Sequence, residues 1–511
     1  MNNILGFDFG TTNTLVATVA NGEAVAIRKL EMTEPSTIAY VGTEVKVGVE
    51  AMDYLGANAI SVYGEAVRSP KKYLADGNPV NVAGVPRSPI DMACEVIAHV
   101  GQIAKERLSS NRDRAGLTTA ATNTAELDQR LSVVATIPIA WDGVTRRRLR
   151  TAFEKAHIDV VHFLHEPFAA LYGYLRSQIQ AVPGLRQHYQ NKYLVVVDWG
   201  GGTLDVTVCQ VQGDVLKQII SGGTNSCGGD LFDEELASAV FFRAKEQRHD
   251  LRDATLDWSA SRNLVSQCEY NKRQIGRTDS YRFRGDWFPG KPMVDVSMSE
   301  AELTQVFLPL IERGNQLVGT LLRQRGLDPQ MIELCLLTGG MSHLEMLRRS
   351  LQAKFGARLK CDDDGTTAIA RGAALFAHDA RTLKLATPVE IKTADASFHR
   401  VLTVDAAVPR SYEQATTNPL RLRCSDPSDG LAKIAFYTPL ALETHARRRS
   451  LGTLSIPVQS NVKPFDETVI CSAKLDSNLC VLVEAYGEFT NKKQGTEFVD
   501  LDFCAQLPVA R

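Results

Sequence analysis

The 511-residue sequence lacks any marked imbalance of charge: 57 Lys and Arg stand against 59 Asp and Glu, a formal net charge of −2. So even a balance advertises neither nucleic acid nor an anionic membrane as an obligatory partner, and neither is expected. Also missing is an apolar run approaching the roughly 18 residues of a membrane span. Met1 to Gly6 enters a strand pattern at once, without the basic, apolar and small-residue regions of a signal peptide. A cytoplasmic location is therefore expected. The ten cysteines, scattered from Cys94 to Cys504, contain no C-x-x-C pair, and Cys209, Cys335 and Cys480 sit inside apolar runs. They read as reduced core residues rather than as a zinc site or a disulfide framework. Two short basic runs, Arg146-Arg147-Arg148 and Arg447-Arg448-Arg449, read as solvated faces.

What is present is a chain with 44% hydrophobic residues, long enough to bury several lobes. An internal repeat decides its organisation. Ile4 to Val19 is a strand, a turn of small residues (Asp8-Phe9-Gly10-Thr11-Thr12-Asn13) and a second strand, and the same shape returns 190 positions later as Leu194 to Val208, with the turn Asp198-Trp199-Gly200-Gly201-Gly202-Thr203-Leu204-Asp205. In each copy an Asp ends a β-branched run and a Thr-bearing turn leads into another. Turn glycines let backbone N–H groups converge on an anion, and Thr hydroxyls add donors. Two such turns can grip a polyphosphate from opposite sides. Asp8 and Asp198 would then hold a magnesium ion through its waters, since magnesium keeps much of its hydration shell.

Elsewhere strand and helix alternate. Asp91 to Leu108 places Met92, Val96, Ile97, Val100, Ile103, Ala104 and Leu108 on one helical face. Leu131 to Pro138 reads as a strand, Arg146 to Ala156 as a basic helix, and Val160 to Leu164 as another strand. Ile332 to Thr338 reads as a buried strand delivering Gly339-Gly340 to a helix start near Ser342, a third turn suited to a nucleotide's sugar and α-phosphate. This rhythm predicts α/β layers around largely covered sheets. Thr118 to Glu126, rich in Thr and Ala, reads as a flexible insertion.

Six segments, in order over roughly residues 1 to 380, together resemble the seventy-kilodalton heat-shock chaperones of the DnaK type. They are Ile4 to Asn13 and Val197 to Asp205 (the two phosphate motifs), His165-Glu166-Pro167-Phe168-Ala169-Ala170 (similar to N-E-P-x-A-A), Cys227 to Asp233 (similar to G-G-x-D-F-D), Leu337 to Ser342, and Ala370 to Ala374. The resemblance implies an α/β, duplicated, actin-like (ribonuclease H-like) two-lobed nucleotide-binding domain and slow, magnesium-dependent hydrolysis of ATP to ADP and phosphate. It implies that Gly10, Thr11, Thr12, Asn13, Gly200, Gly201, Gly202, Thr203, Gly228 and Gly229 surround the phosphates. Asp205 would support the second loop, and Gly339, Gly340 and Ser342 would meet the adenosine. Lys71 aligns with the family's catalytic lysine, with Lys72 beside it as the alternative, and Glu166 would position the attacking water. Such chemistry rests on positioning and electrostatics rather than on covalent help. Cys268 to Arg273 resembles the family's E-x-x-K-R signature, in which Glu269, Lys272 and Arg273 would grip ribose and adenine. Read by spacing alone, Glu269 and Arg273 could equally be an i,i+4 surface ion pair. Pro138 and Arg146 fall where the family relays nucleotide state to its second domain. Two positions depart: His343 stands where the family has an adenine-stacking arginine, and Gly276 where it has a serine.

From about Leu383 the pattern becomes short alternating runs (Leu431 to Tyr437, Leu451 to Val458, Asn478 to Ala485) between Pro, Asn and Ser turns, a β-rich domain. Ala473 to Ala485 resembles a hairpin of the family's peptide-binding sandwich. The expected division is residues 1–382, nucleotide-binding; 383–388, linker; 389–511, a β-rich domain like a lidless sandwich. The linker has Lys384 where the family is acidic. With no helical lid before Arg511, a bound peptide is expected to leave quickly. The leading function is an ATP-driven chaperone that binds client protein segments, with a J-domain co-chaperone and a nucleotide-exchange factor as the partners the family implies. An actin-like scaffold or regulator, and a sugar-kinase-like enzyme, stand as the other classes.

Overall fold

The computed structural model describes residues 4–29, 33–57, 66–114, 130–256, 258–278, 280–288, 290, 293–362, 364–410, 419–440 and 447–508. The expected insertion at Thr118 to Glu126 lies outside them.

The hairpin repeat seeds two lobes of one design. In the first, β1 (Leu5–Phe9), β2 (Asn13–Ala20) and β3 (Glu23–Ile27) run antiparallel, and β4 (Leu131–Ile137) and β5 (Ile158–His165) add in parallel, giving the order β5-β4-β1-β2-β3. In the second, β6 (Tyr193–Trp199), β7 (Leu204–Gln212) and β8 (Val215–Thr224) run antiparallel, and β9 (Ile332–Thr338) and β10 (Leu359–Cys361) add in parallel as β10-β9-β6-β7-β8. This is the duplicated two-lobed α/β architecture that the resemblance implied. β1 is buried at every residue because helices cover the sheet. One of these, α1 (Pro89–Arg114), buries Met92, Val96, Ile97, Val100, Ile103 and Ala104, the face expected from their spacing.

The basic helix α2 (Gly143–Lys155) starts where the Asp142 carboxylate accepts the N–H of Thr145 at 2.7 Å. Two further helices, α3 (Glu166–Ala181) and, late in the chain, α7 (Ala368–His378), cross with their backbones touching. A Cβ on Gly372 would lie 1.9 Å from the Ala169 carbonyl oxygen, and one on Gly173 would lie 2.7 Å from Gly372 Cα. Only glycines allow that approach.

After the lobes comes the short strand β11 (Lys384–Leu385), and then eight strands form a sandwich: β12 (Val389–Lys392), β13 (Phe398–Leu402), β14 (Leu420–Arg423), β15 (Leu431–Pro439), β16 (Arg448–Pro457), β17 (Thr468–Leu475), β18 (Val481–Gly487) and β19 (Gln494–Phe498). Its sheets run β13-β12-β15-β16 and β14-β17-β18-β19. The next strand, β20 (Phe503–Gln506), is not part of the sandwich. It pairs with β8, and β11 pairs with β20, so that the second lobe's sheet reads β10-β9-β6-β7-β8-β20-β11.

Four of the six arginines in the two runs turn onto the protein rather than into water, while Arg147 and Arg447 stay exposed. Arg146 is wholly buried and donates to the carbonyls of Asn478 (3.2 Å) and Leu479 (2.9 Å) in the β17–β18 turn. Arg147 pairs with Glu497 at 2.8 Å, and Arg148 donates to the carbonyls of Leu74 and Ala75. Arg448 pairs with Glu390 at 2.8 Å, and Arg449 with Asp500 (2.8 Å) and Asp502 (3.3 Å). One apolar cluster accordingly runs without a break from the first lobe (Phe7, Phe163) through Leu385 and Phe503 into the sandwich (Phe436, Val483), while a second fills the other lobe. All ten cysteines are unpaired and all but Cys94 and Cys361 are buried. Among the described residues no helix is long and apolar enough to cross a membrane.

Candidate functional site

Three glycine turns meet in the cleft between the lobes, at the carboxyl ends of β1, β6 and β9. In open α/β sheets this is where ligands bind. The first turn, Gly10 to Asn13, is held from behind: Ser36 Oγ donates to the Gly10 carbonyl (2.7 Å), Ser36 N–H to the Thr12 carbonyl (2.8 Å), and Thr33 Oγ1 to Asn13 Oδ1 (3.2 Å). The second closes on itself through Gly200 N–H to the Thr203 carbonyl (2.9 Å). It is capped by the start of α4 (Gly229–Gln247), where Gly229 and Asp230 N–H groups donate to the carbonyls of Gly200 (3.0 Å) and Gly201 (2.7 Å). The two turns face each other closely, since a Cβ on Gly201 would lie 2.2 Å from Thr12 Oγ1. Gly228 packs against the same turn. The third turn needs Gly339 at φ +85°, and a Cβ there would press on Trp199 O (2.5 Å) and Asp198 Oδ1 (2.6 Å). That left-handed conformation and that contact both demand glycine.

Buried charge fills the floor of the cleft. Lys71 Nζ lies 2.7 Å from Glu166 Oε1 with both side chains almost fully enclosed, and 5.3 Å from the centre of the Trp141 ring. Asp8 accepts from Thr136 Oγ1 at 2.8 Å, and Asp205 from Ile139 N–H at 3.0 Å. Asp198 Oδ1 and Asp205 Oδ2 are buried with no hydrogen-bond partner among the described residues. Burial first, and the nearby Glu166 second, push Asp8 up to about 6 and Asp205 up to about 7. Burial and the surrounding carboxylates push Asp198 up strongly as well. Burial opposes the charge on Lys71, but Glu166 and Asp8 outweigh it and raise the amine above its usual value. One ammonium among four carboxylates leaves the floor short of positive charge. The residues therefore fit a cation bridging them to a polyphosphate. Among the described residues no three His, Cys, Asp or Glu side chains converge into a cage that could hold a metal by themselves, so such a cation would take most of its ligands from phosphate and water.

The geometry separates the two lysines. Lys72 is partly exposed and pairs across the cleft with Asp230, whereas Lys71 points inward to Glu166. On α5 (Trp258–Lys272), Glu269 bonds Arg68 of the opposite wall at 3.1 Å and pairs with Arg273. Lys272 donates to the Gly229 carbonyl and to Asp233, each at 2.7 Å. Burial still pushes Asp233 up to about 7 despite that lysine. These side chains thus already have protein partners that tie α5 to α4 and to the first lobe. Ser342 is buried, its hydroxyl without a partner among the described residues, and His343 is exposed at the end of the 3-10 turn Gly340–His343. The helix expected near Ser342 begins later, as α6 (Glu345–Phe355), because Ser342 and Leu344 N–H groups bond three residues back, to Gly339 and Met341.

Sequence reading missed Thr136, Ile139 and Trp141 around the floor of the cleft, and Arg68, Asp230 and Asp233 as its wall partners. The signal for the first three was position, since they flank the carboxyl end of β4, a parallel strand beside β1.

The Hsp70 protein family model matches residues 4–417. Among curated proteins, the chain is similar to the Chaperone protein HscA homolog of Bordetella petrii, 27% identical over 392 residues that make up 73% of this chain and 57% of that protein. It is also similar to the homologs of the same name from Haemophilus influenzae strain 86-028NP (25% over 393 residues) and Polynucleobacter necessarius (25% over 395 residues), with the same coverage. The match spans little more than half the length of these relatives.

Proposed function

The chain belongs to the Hsp70 family, and from that premise we propose that it is a chaperone that binds ATP with magnesium, hydrolyses it slowly and couples the nucleotide state to binding of client protein segments. The observation that carries this reading is the buried Lys71–Glu166 pair beside the unpartnered oxygens of Asp198 and Asp205, ringed by three glycine turns. Asp8 and Asp198 would hold the hydrated magnesium ion, which when bound supplies charge neutralisation at the phosphates. Gly10 to Asn13 and Gly200 to Thr203 would cradle the β- and γ-phosphates, and Gly339, Gly340 and Ser342 would receive the adenosine. Glu166 accepts a hydrogen bond from the attacking water and holds it in line, while the Lys71 ammonium steadies the charge growing on the γ-phosphoryl group. Glu269, Lys272 and Arg273 would shape the adenosine wall from their existing partners.

In this reading residues 1–382 form the nucleotide-binding domain, 383–388 the linker and 389–511 the β-rich domain, with Lys384–Leu385 of the linker and Phe503–Gln506 of the β-rich domain lent to the second lobe's sheet. Client segments occupy the sandwich, and a J-domain co-chaperone and an exchange factor set the pace of the cycle. Ten unpaired cysteines suit the reducing cytoplasm. The test is ATP turnover with and without an unfolded polypeptide, run beside sugar phosphorylation and light scattering. ATP hydrolysis that the polypeptide accelerates supports the reading. Phosphorylated sugar would favour a kinase instead, and ATP-dependent scattering a filament.

A further inference from the structure

Strand β20 leaves the sandwich and enters the nucleotide-binding lobes. It lies antiparallel on β8, with Val215 opposite Gln506 and Lys217 opposite Cys504, and carries β11 on its other edge. On β8 the pairing with β7 slips by one residue, so that Val208 faces Ile220 while Cys209 faces Gln218. A bulge of this kind re-aims the side chains beside it. Gln218 is turned into the interior, where its Oε1 accepts the N–H of Phe503 at 2.8 Å and its amide nitrogen lies 3.4 Å from His165 Nδ1. The Phe503 ring meets the His165 ring edge-on at 5.7 Å. His165 is the residue before Glu166 at the start of α3, and its side chain makes no capping bond there because it faces Gln218. Burial, and then Arg146, push its imidazole down to about 3, so it is neutral and its Nδ1 can accept the amide hydrogen. Contacts therefore run unbroken from Phe503 through Gln218 and His165 to the residue that carries the catalytic carboxylate.

We propose that β20 is a positioning strap for the hydrolytic site. Phe503, through its N–H on Gln218 and its ring against His165, fixes His165 and with it the first turn of α3 on which Glu166 is mounted, and ATP hydrolysis reaches its full rate only while β20 stays in the second lobe's sheet. This rests on the reading of Glu166 as a catalytic residue; His165, Gln218 and Phe503 act through it. The strap has a second anchor next to the first. Asp502 is buried between Arg325 (3.6 Å) and Arg449 of β16 (3.3 Å), its carbonyl accepts from Ala386 N–H at 2.9 Å, and Arg325 also donates to the carbonyl of the bulged Ile219. A shift of the sandwich that moves Arg449 consequently pulls on the residue preceding Phe503.

Single-turnover hydrolysis of Mg-ATP by the full chain, with ATP affinity and thermal melting measured alongside, tests the strap in Gln218→Met, Phe503→Ala, the double variant and Glu166→Gln. Methionine keeps the volume of Gln218 and removes both of its bonds. Each single substitution is expected to slow hydrolysis roughly tenfold with ATP affinity changed less than about twofold, and the double variant to be no slower than the slower single, because both break one chain of contacts. A wild-type rate in Gln218→Met, a parallel loss of affinity, or slowing that multiplies in the double variant overturns the proposal. Phe503→Ala keeps its backbone N–H, and its rate and affinity decide the same question if Gln218→Met does not fold. If instead Glu166→Gln hydrolyses ATP as fast as the wild type, the catalytic role of Glu166 beneath the strap fails, an outcome distinct from failure of the strap alone.

Discussion

Arg146 shows how much one side chain can join. Its guanidinium reaches the carbonyls of Asn478 and Leu479 in the sandwich and of Ile139 (3.5 Å), whose own N–H is held by Asp205 in the cleft. Arg150 adds bonds to Asn478 Oδ1 (2.7 Å) and the Ser477 carbonyl (2.9 Å). Arg146→Ala would strand buried carbonyls, each costing about 1–3 kcal/mol. Urea unfolding is expected to show a lower midpoint, and an unchanged midpoint would count against the contact. The resemblance placed Arg146 at a domain relay, but the charge run around it reads as solvated. A run of like charges looks the same whether water or a distant carboxylate answers it, and Glu497 lies 350 residues from Arg147. His343 stands where the family stacks an arginine on adenine, and its exposure at the mouth of the third turn leaves that face free. His343→Ala is expected to weaken ATP binding several-fold, roughly 1 kcal/mol, and His343→Arg to tighten it. Calorimetric titration decides, with identical affinities removing the stacking role.

At the scale of elements, the crossing of α3 and α7 is the joint on which the lobes meet. Because a Cβ on Gly372 would enter the Ala169 carbonyl, Gly372→Ala must push two helices apart, at about 1–3 kcal/mol. Chemical denaturation should register that loss, and a variant as stable as the wild type would show that the crossing is looser than described. Most elements were legible because period and composition mark them locally. α1, β4 and β9 stand where their apolar spacing put them, and the repeated hairpin revealed both sheets. β20 falls in the stretch that reads as β-rich, but its sheet was not legible: Phe503-Cys504-Ala505-Gln506 suits a strand in a sandwich or beside β8 alike, and only long-range pairing with Val215 to Lys217 distinguishes them. The delayed start of α6 was hidden for a different reason, the tight turn that Gly339 imposes on the residues after it.

Across the whole molecule, buried carboxylates make nucleotide-free stability depend on pH. Asp8 and Asp502 are pushed up to about 6, and Asp205 and Asp233 to about 7, from an ordinary value of 3.8. The folded chain thus holds protons that the unfolded chain has lost; this contribution is complete below the unfolded value and fades as pH rises through about 6 to 7. His165, pushed down to about 3, acts oppositely but only below its ordinary 6.5. The nucleotide-free protein should therefore melt at a higher temperature near pH 6.5 than near pH 8, and the reverse order would contradict the assignment of these groups as buried carboxylates that hold their protons above the ordinary range. The cleft and the sandwich share one apolar core, and the chemistry proposed for that unit turns on Lys71. Single-turnover hydrolysis of Mg-ATP by the wild type and by Lys71→Ala tests it most directly. Both are expected to bind ATP while the variant hydrolyses it at least roughly tenfold more slowly, a barrier increase of about 1.4 kcal/mol; equal rates would contradict the proposed mechanism.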